Sequence, residues 1–207
     1  MKKNSLELPI IEELYQITPE DFTPARIMLG NAFRKDPIWS EIMKNREDKF
    51  PIIFGVPLKY TLKYGKIYAP TSDIEATALW LGTPFVDMNI WRVIRSGSIT
   101  MSMKLGSKIA KLMMKIFDQI AKDRKNFMKG EYVYLIALGV SPEKQGQGFG
   151  SHLVRTMQNN LPPKVPIYLE TESERNVRFY EQLGFEVINK LQVPIFDLPM
   201  WEMIYQP

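Results

Sequence analysis

The stretch EYVYLIALGV, residues 131–140, is apolar on both of its faces. At a period of two, Tyr132, Tyr134, Ile136, Leu138 and Val140 share one side, and Val133, Leu135 and Ala137 share the other. A strand without a polar face has to run through the interior of a sheet that is covered front and back. Pro142 follows it, then the cluster QGQGFG at 145–150, then a helical pattern through SHLVRTMQNNL that Pro162 and Pro163 end. PIYLET reads as the next strand, and SERNVRFYEQL as a short helix with Gly184 as its left-handed terminal residue. Two further strands, around FEVI and PMWEMIY, close the chain. This alternation indicates an α/β fold with parallel pairing near the middle of the sheet.

Upstream, Thr23 as cap and Pro24 in the first turn are expected to start a helix with apolar residues at Ile27, Met28, Ala32 and Phe33, which KDP stops. A second helical stretch covers FPIIFGVPLKYTLKYG, interrupted near Gly55 and Pro57, and GKIYAP and IEATALWLG are strand candidates. Residues 102–128 form the longest helical pattern. Lys104, Lys108, Lys111, Lys115 and Lys122 fall on one stripe of it, away from Leu105, Ile109, Leu112, Ile116 and Ile120. Such a stripe reads as a solvated face rather than a surface for membrane or nucleic acid.

Bulk composition narrows the chemistry. At 207 residues one substantial core is expected. The absence of cysteine removes disulfides, thiolate metal sites and cysteine nucleophiles, and a single histidine, His152, removes histidine-rich metal sites. A net charge of +4 is too mild to imply a polyanionic partner. MKKNSLELPIIEEL has acidic residues where a signal peptide needs an apolar run, and no segment is long enough to span a bilayer, so a cytoplasmic location is expected. Ser151 next to His152 makes no triad, because neighbours on a helix point about 100° apart and GFGSH lacks the nucleophile elbow.

Glycines between strand and helix serve several purposes. A P-loop would require Lys and then Ser or Thr after the last glycine, and Phe149-Gly150-Ser151 has no lysine. A dinucleotide fingerprint gains some support from Glu170, about twenty residues on, but the glycines run G-x-G-x-G, and too little chain follows Gly150 for a doubly wound sheet. A tight connection is the plainest alternative. The remaining use is a loop that wraps a diphosphate with backbone amides, since glycine lets the main chain approach and a helix start attracts an anion.

QGQGFG fits Q/R-x-x-G-x-G/A through Gln145, Gly148 and Gly150, directly after LGVSPEK at a strand end. It resembles the coenzyme A loop of the GNAT superfamily of N-acetyltransferases. FYEQLGFEVI is similar to the family's tyrosine-bearing helix and following strand, and ARIMLGNAFRKDPIW and IEATALWLG resemble a first helix and third strand of one branch. The resemblance implies one GNAT-type domain over 1–207 with a helical insertion around 86–129, and a mixed central sheet flanked by helices. It also implies a splayed parallel pair made by 131–140 and 166–171, with acetyl-CoA in the gap. Backbone groups at Leu138, Gly139 and Val140 would bond the pantetheine arm, and Gln145, Gly146, Gln147, Gly148, Phe149, Gly150 and Ser151 would hold the diphosphate. Tyr180 matches the tyrosine that protonates the departing thiolate. The family often has asparagine where this chain has Ser173, and Asn176 is the nearest substitute.

A base must also relieve the incoming ammonium of its proton. Glu170 and Glu172, at a strand end, are candidates, although capping of the next helix is the favoured reading of either, and Glu131 is a weaker one. The acceptor expected is a small-molecule amine, shaped by the first two helices and the 86–129 segment with Phe85 and Trp91. Two other functions stay open on sequence, a non-catalytic acyl-CoA-binding module of the same fold and a nicotinamide-dependent oxidoreductase. Sequence gives no oligomeric state.

Overall fold

The computed structural model describes residues 5–193 and 196–207. The elements run β1 Tyr15–Gln16, α1 Phe22–Ala32, α2 Pro37–Ile42, α3 Phe50–Ile53, α4 Gly55–Tyr64, β2 Lys66–Ala69 and β3 Ala76–Gly82. Then come α5 Ile90–Arg95, α6 Ile99–Leu105, α7 Ser107–Phe127, β4 Val133–Val140 and α8 Phe149–Asn160. The remainder is β5 Ile167–Thr171, α9 Glu174–Glu181, β6 Phe185–Val193 and β7 Leu198–Tyr205.

The strands form one seven-stranded sheet in the order β1-β2-β3-β4-β5-β7-β6. Every neighbouring pair is antiparallel except β4 and β5. A doubly wound dinucleotide fold needs a mostly parallel sheet, so that alternative is excluded. On one face Leu29, Ile53, Leu58 and Ile116 pack with Ile67, Leu79 and Ala137. On the other, Leu153, Met157 and Val177 from α8 and α9 pack with Val133, Leu135, Leu169 and Met203. No helix of the described residues is long and apolar enough to cross a membrane.

Three local expectations need correction. The first helix starts at Phe22, one residue before Thr23, because Asp21 anchors the turn ahead of it by accepting from the Thr18 amide and hydroxyl, both at 2.9 Å. On that helix Ile27 points outward, 42% exposed, and Leu29 is the residue fully buried. The long helical pattern at 102–128 is two helices, α6 and α7, parted at Gly106, whose φ of +91° suits glycine and breaks the helical path. The lysine stripe stays in solvent, as expected.

The third correction concerns β4. Leu79 pairs with Ala137 but Trp80 pairs with Leu135, so Ile136 is the extra residue of a bulge. A bulge reverses the inside-outside alternation beyond it. Tyr134 faces the α7 side and Val133 and Leu135 the α8 side, yet Leu138 and Val140 turn to α8 and Ala137 and Gly139 to α1. Tyr134 and Leu138 therefore do not share a face.

Candidate active site

β4 and β5 are paired only at Val133–Ile167 and Tyr134–Tyr168, although both strands run on, to Val140 and Thr171. The two diverge where the Ile136 bulge bends β4. From Leu135 onward β4 keeps β3 on one edge and has no strand on the other, which leaves backbone donors and acceptors facing a wedge between the strands. Leu138 and Val140 turn toward the α8 side of this wedge. Gly139 serves packing, since a Cβ there would lie 2.7 Å from Leu29 Cδ2 on α1.

The wedge leads to the glycine loop. Gly146 and Gly148 adopt φ of +79° and +86°, values that other residues adopt only with strain. A Cβ on Gly146 would meet nothing within 4 Å, and one on Gly148 only Ser151 Oγ at 3.9 Å, so the space in front of the loop is open. Gly150 differs, because its backbone is not left-handed and a Cβ there would make ordinary contacts with Val140 Cγ2 at 3.4 Å and Phe179 Cζ at 3.5 Å. The Gln145 and Gln147 side chains bond back to the carbonyls of Val140 and Glu143, and the Ser151 hydroxyl donates to the Gly148 carbonyl. No backbone amide from Gln145 to Ser151, Phe149 included, finds an acceptor among the described residues. Unpaired amides at the start of a twelve-residue helix can attract an anion.

Tyr180 projects from α9 into the same side of the sheet, 8% exposed, with its ring 5.1 Å from Phe179 and 5.5 Å from Phe185. Burial, and then the charge of Glu172, push its hydroxyl well above the ordinary phenol range. Ser173 is the N-cap residue of α9, without a side-chain cap bond, and its carbonyl accepts from Val177. The Asn176 amide donates to Thr171 Oγ1 at 3.2 Å, which ties α9 to the end of β5.

On the opposite side of the wedge lie the carboxylates. Glu170 has a 7% exposed side chain, with Arg124 Nη1 3.8 Å from its Oε1 and no hydrogen bond to that oxygen. Burial raises its pKa to about 7 against the opposing pull of Arg124. Glu172, half-buried two residues on, is raised by burial and by the charges of Asp36 and Glu170. Asp36, ahead of α2, is pushed up to about 6, chiefly by burial, although its carboxylate accepts from the Trp39 amide. Glu131 and His152 are exposed and take no part.

Sequence reasoning missed Asp36 and Arg124. KDP carried a usable signal, an N-cap acid before a first-turn proline, but read only as a helix stop. Arg124 continues the Ile116–Ile120 series at a spacing of four, so it stands on the apolar stripe of α7, where a charge has to find partners. Trp91, expected beside the acceptor, is 71% exposed on α5, and Phe85 stacks on Tyr64 at 5.2 Å.

Residues 108–187 match the family described as the acetyltransferase (GNAT) domain, a span that holds β4, the glycine loop, β5 and α9. Over that span, the chain is similar to GNAT acetyltransferases. An uncharacterized N-acetyltransferase of Schizosaccharomyces pombe is 28% identical over 181 residues, covering 82% of this chain and 72% of the relative. Among solved structures, arylalkylamine N-acetyltransferase 2 from Aedes aegypti shares the fold at a TM-score of 0.65 and 15% identity, covering 93% of this chain and 97% of that one. A structure from Corynebacterium glutamicum described as histone acetyltransferase HPA2 and related acetyltransferase superposes at 0.64 with 20% identity, covering 94% and 95%. The polyamine N-acetyltransferase of Drosophila melanogaster does so at 0.57 and 15%, covering 94% and 99%.

Proposed function

We propose that this chain moves the acetyl group of acetyl-CoA directly to the amine of a small molecule. The observation that carries this reading is the wedge between β4 and β5, with unclaimed amides at one end and acid-base groups on its two sides. Acetyl-CoA would supply an acetyl group already activated as a thioester. The amides of Gln145–Ser151 hold its diphosphate, and the free edge of β4 around Leu138–Val140 orients the thioester and polarises its carbonyl. Glu170 accepts the proton of the acceptor's ammonium, directly or through water, with the carboxyl groups of Asp36 and Glu172 nearby. Tyr180 stays protonated at neutral pH because it is buried, and it gives that proton to the sulfur as the C–S bond breaks and the N–C bond forms. A small amine is favoured by the company of relatives whose names include arylalkylamine and polyamine N-acetyltransferases.

A panel of arylalkylamines, agmatine and polyamines, assayed with acetyl-CoA for release of free thiol, tests the reading. Turnover with at least one amine is expected. Saturable binding of acetyl-CoA with no thiol released by any amine would leave a non-catalytic binding module instead.

A further inference from the structure

Arg124 lies in the last turn of α7 and is only 3% exposed. Its Nη2 is 2.7 Å from Asp87 Oδ1 and donates to the Val86 carbonyl, and its Nε donates to the Tyr132 hydroxyl at 3.2 Å. The guanidinium also lies 4.6 Å above the Tyr134 ring, with Nη1 turned toward Glu170. A buried cation of this kind is tolerable only when paired, and here one guanidinium faces two carboxylates. Among the described residues, Asp87 has a second cation, Lys125 Nζ at 2.9 Å, whereas Glu170 has Arg124 alone.

The other groups around Glu170 are neutral or negative. Tyr134 comes from β4 and Tyr168 from β5, and the Tyr168 hydroxyl is committed to Glu202 Oε1 at 2.6 Å. Glu202 sits directly opposite Glu170 on β7 and takes a second hydrogen bond from Asn189 on β6. Glu172 lies just past the end of β5, its own carboxyl raised by burial and by the charges of Asp36 and Glu170. Among the described residues Arg124 is the cation that favours an ionised Glu170; the Tyr134 and Tyr168 hydroxyls favour it more weakly.

We infer that Arg124 is a positioning residue for the acid-base step, dividing its guanidinium between Asp87 and Glu170 so that the Glu170 carboxylate is ionised and held against the wedge. This rests on the reading of Glu170 as the base. It also makes that base depend on Asp87, in the connection between β3 and α5. Two opposite consequences follow from one shared cation. Removing the guanidinium disfavours the Glu170 anion, and removing the competing Asp87 charge favours it.

The test is an NMR titration of the full chain labelled with 13C at the glutamate carboxyl carbons, with the Glu170 signal assigned by its loss in Glu170→Gln. The wild-type midpoint is expected near 7. Arg124→Met should raise it by about one pH unit or more, Arg124→Lys should raise it less, and Asp87→Asn should lower it. If Arg124→Met does not fold, the other two variants decide the matter by their opposite signs. Midpoints for Arg124→Lys and Asp87→Asn that stay at the wild-type value, or move together, would overturn the inference. The acid limb of kcat/KM with a turned-over amine should follow the NMR midpoint in each variant. The base reading fails separately: if Glu170→Gln retains wild-type turnover while the midpoints move as stated, Glu170 is not the base and Arg124 sets only its charge.

Discussion

Burial acts differently on the two groups proposed to handle protons. It keeps Tyr180 protonated, so the phenol is a donor across the neutral range, and it lifts Glu170 to where a carboxylate exchanges protons near neutrality. Tyr180→Phe should lower kcat roughly 100-fold with acetyl-CoA affinity unchanged by calorimetry. A loss under two-fold would return the ring to a packing role beside Phe179 and Phe185. For Glu170 the active form is the anion, so wild-type activity should climb as pH rises through about 7, and Glu170→Gln should be slow and lack that limb. Both residues were legible in the sequence because a strand end and a short helix fix their places locally. Asp36 was not, because what gives it meaning is Glu172, which only tertiary folding brings near it.

Strand β4 and the loop after it divide labour in a way that sequence only half discloses. The apolar run at 131–140 announced an interior strand, but the bulge at Ile136 arises from pairing with β3 and redirects every side chain beyond it. The face shared by Leu138 and Val140 was therefore misread, while the glycine loop was placed correctly. Its glycines are not equivalent, which gives a paired prediction. Gly148→Ala should cost about 1–2 kcal/mol in a denaturant melt because of the left-handed backbone, and should weaken acetyl-CoA binding as well. Gly150→Ala carries no such strain and meets only ordinary contacts, so its melt should stay within about 0.5 kcal/mol of wild type. Equal losses in the two variants would show that backbone conformation is not what selects glycine at position 148.

Across the fold, the sheet assembles carboxylates that prefer to be protonated, and this has a consequence for stability. Glu170 binds its proton more tightly folded than unfolded, so between about pH 4.5 and 7 the folded chain holds the proton that the unfolded chain has released. Stability should therefore fall as pH rises through that window, by an amount approaching roughly 3 kcal/mol from this group alone. Asp36 and Glu172 act in the same direction. Denaturant melts at pH 5 and pH 7.5 should show a smaller difference for Glu170→Gln than for wild type. Parallel pairing near the middle of the sheet could be anticipated from the order of elements, and the mixed sheet with one parallel pair from the family resemblance. The insertion of β7 between β5 and β6, which sets Glu202 beside Glu170, could not, because strand order is a property of the assembled sheet. Everything argued for the chemistry depends on acetyl-CoA being gripped where β4 and β5 part and α8 begins. Calorimetric titration of the full chain with acetyl-CoA tests this most directly, using Gly148→Val beside Gly106→Val, a change at a second left-handed glycine between α6 and α7. The account predicts saturable one-to-one binding that Gly148→Val weakens at least about ten-fold and Gly106→Val leaves intact; no heat from the wild-type chain, or the same affinity in both variants, would contradict it.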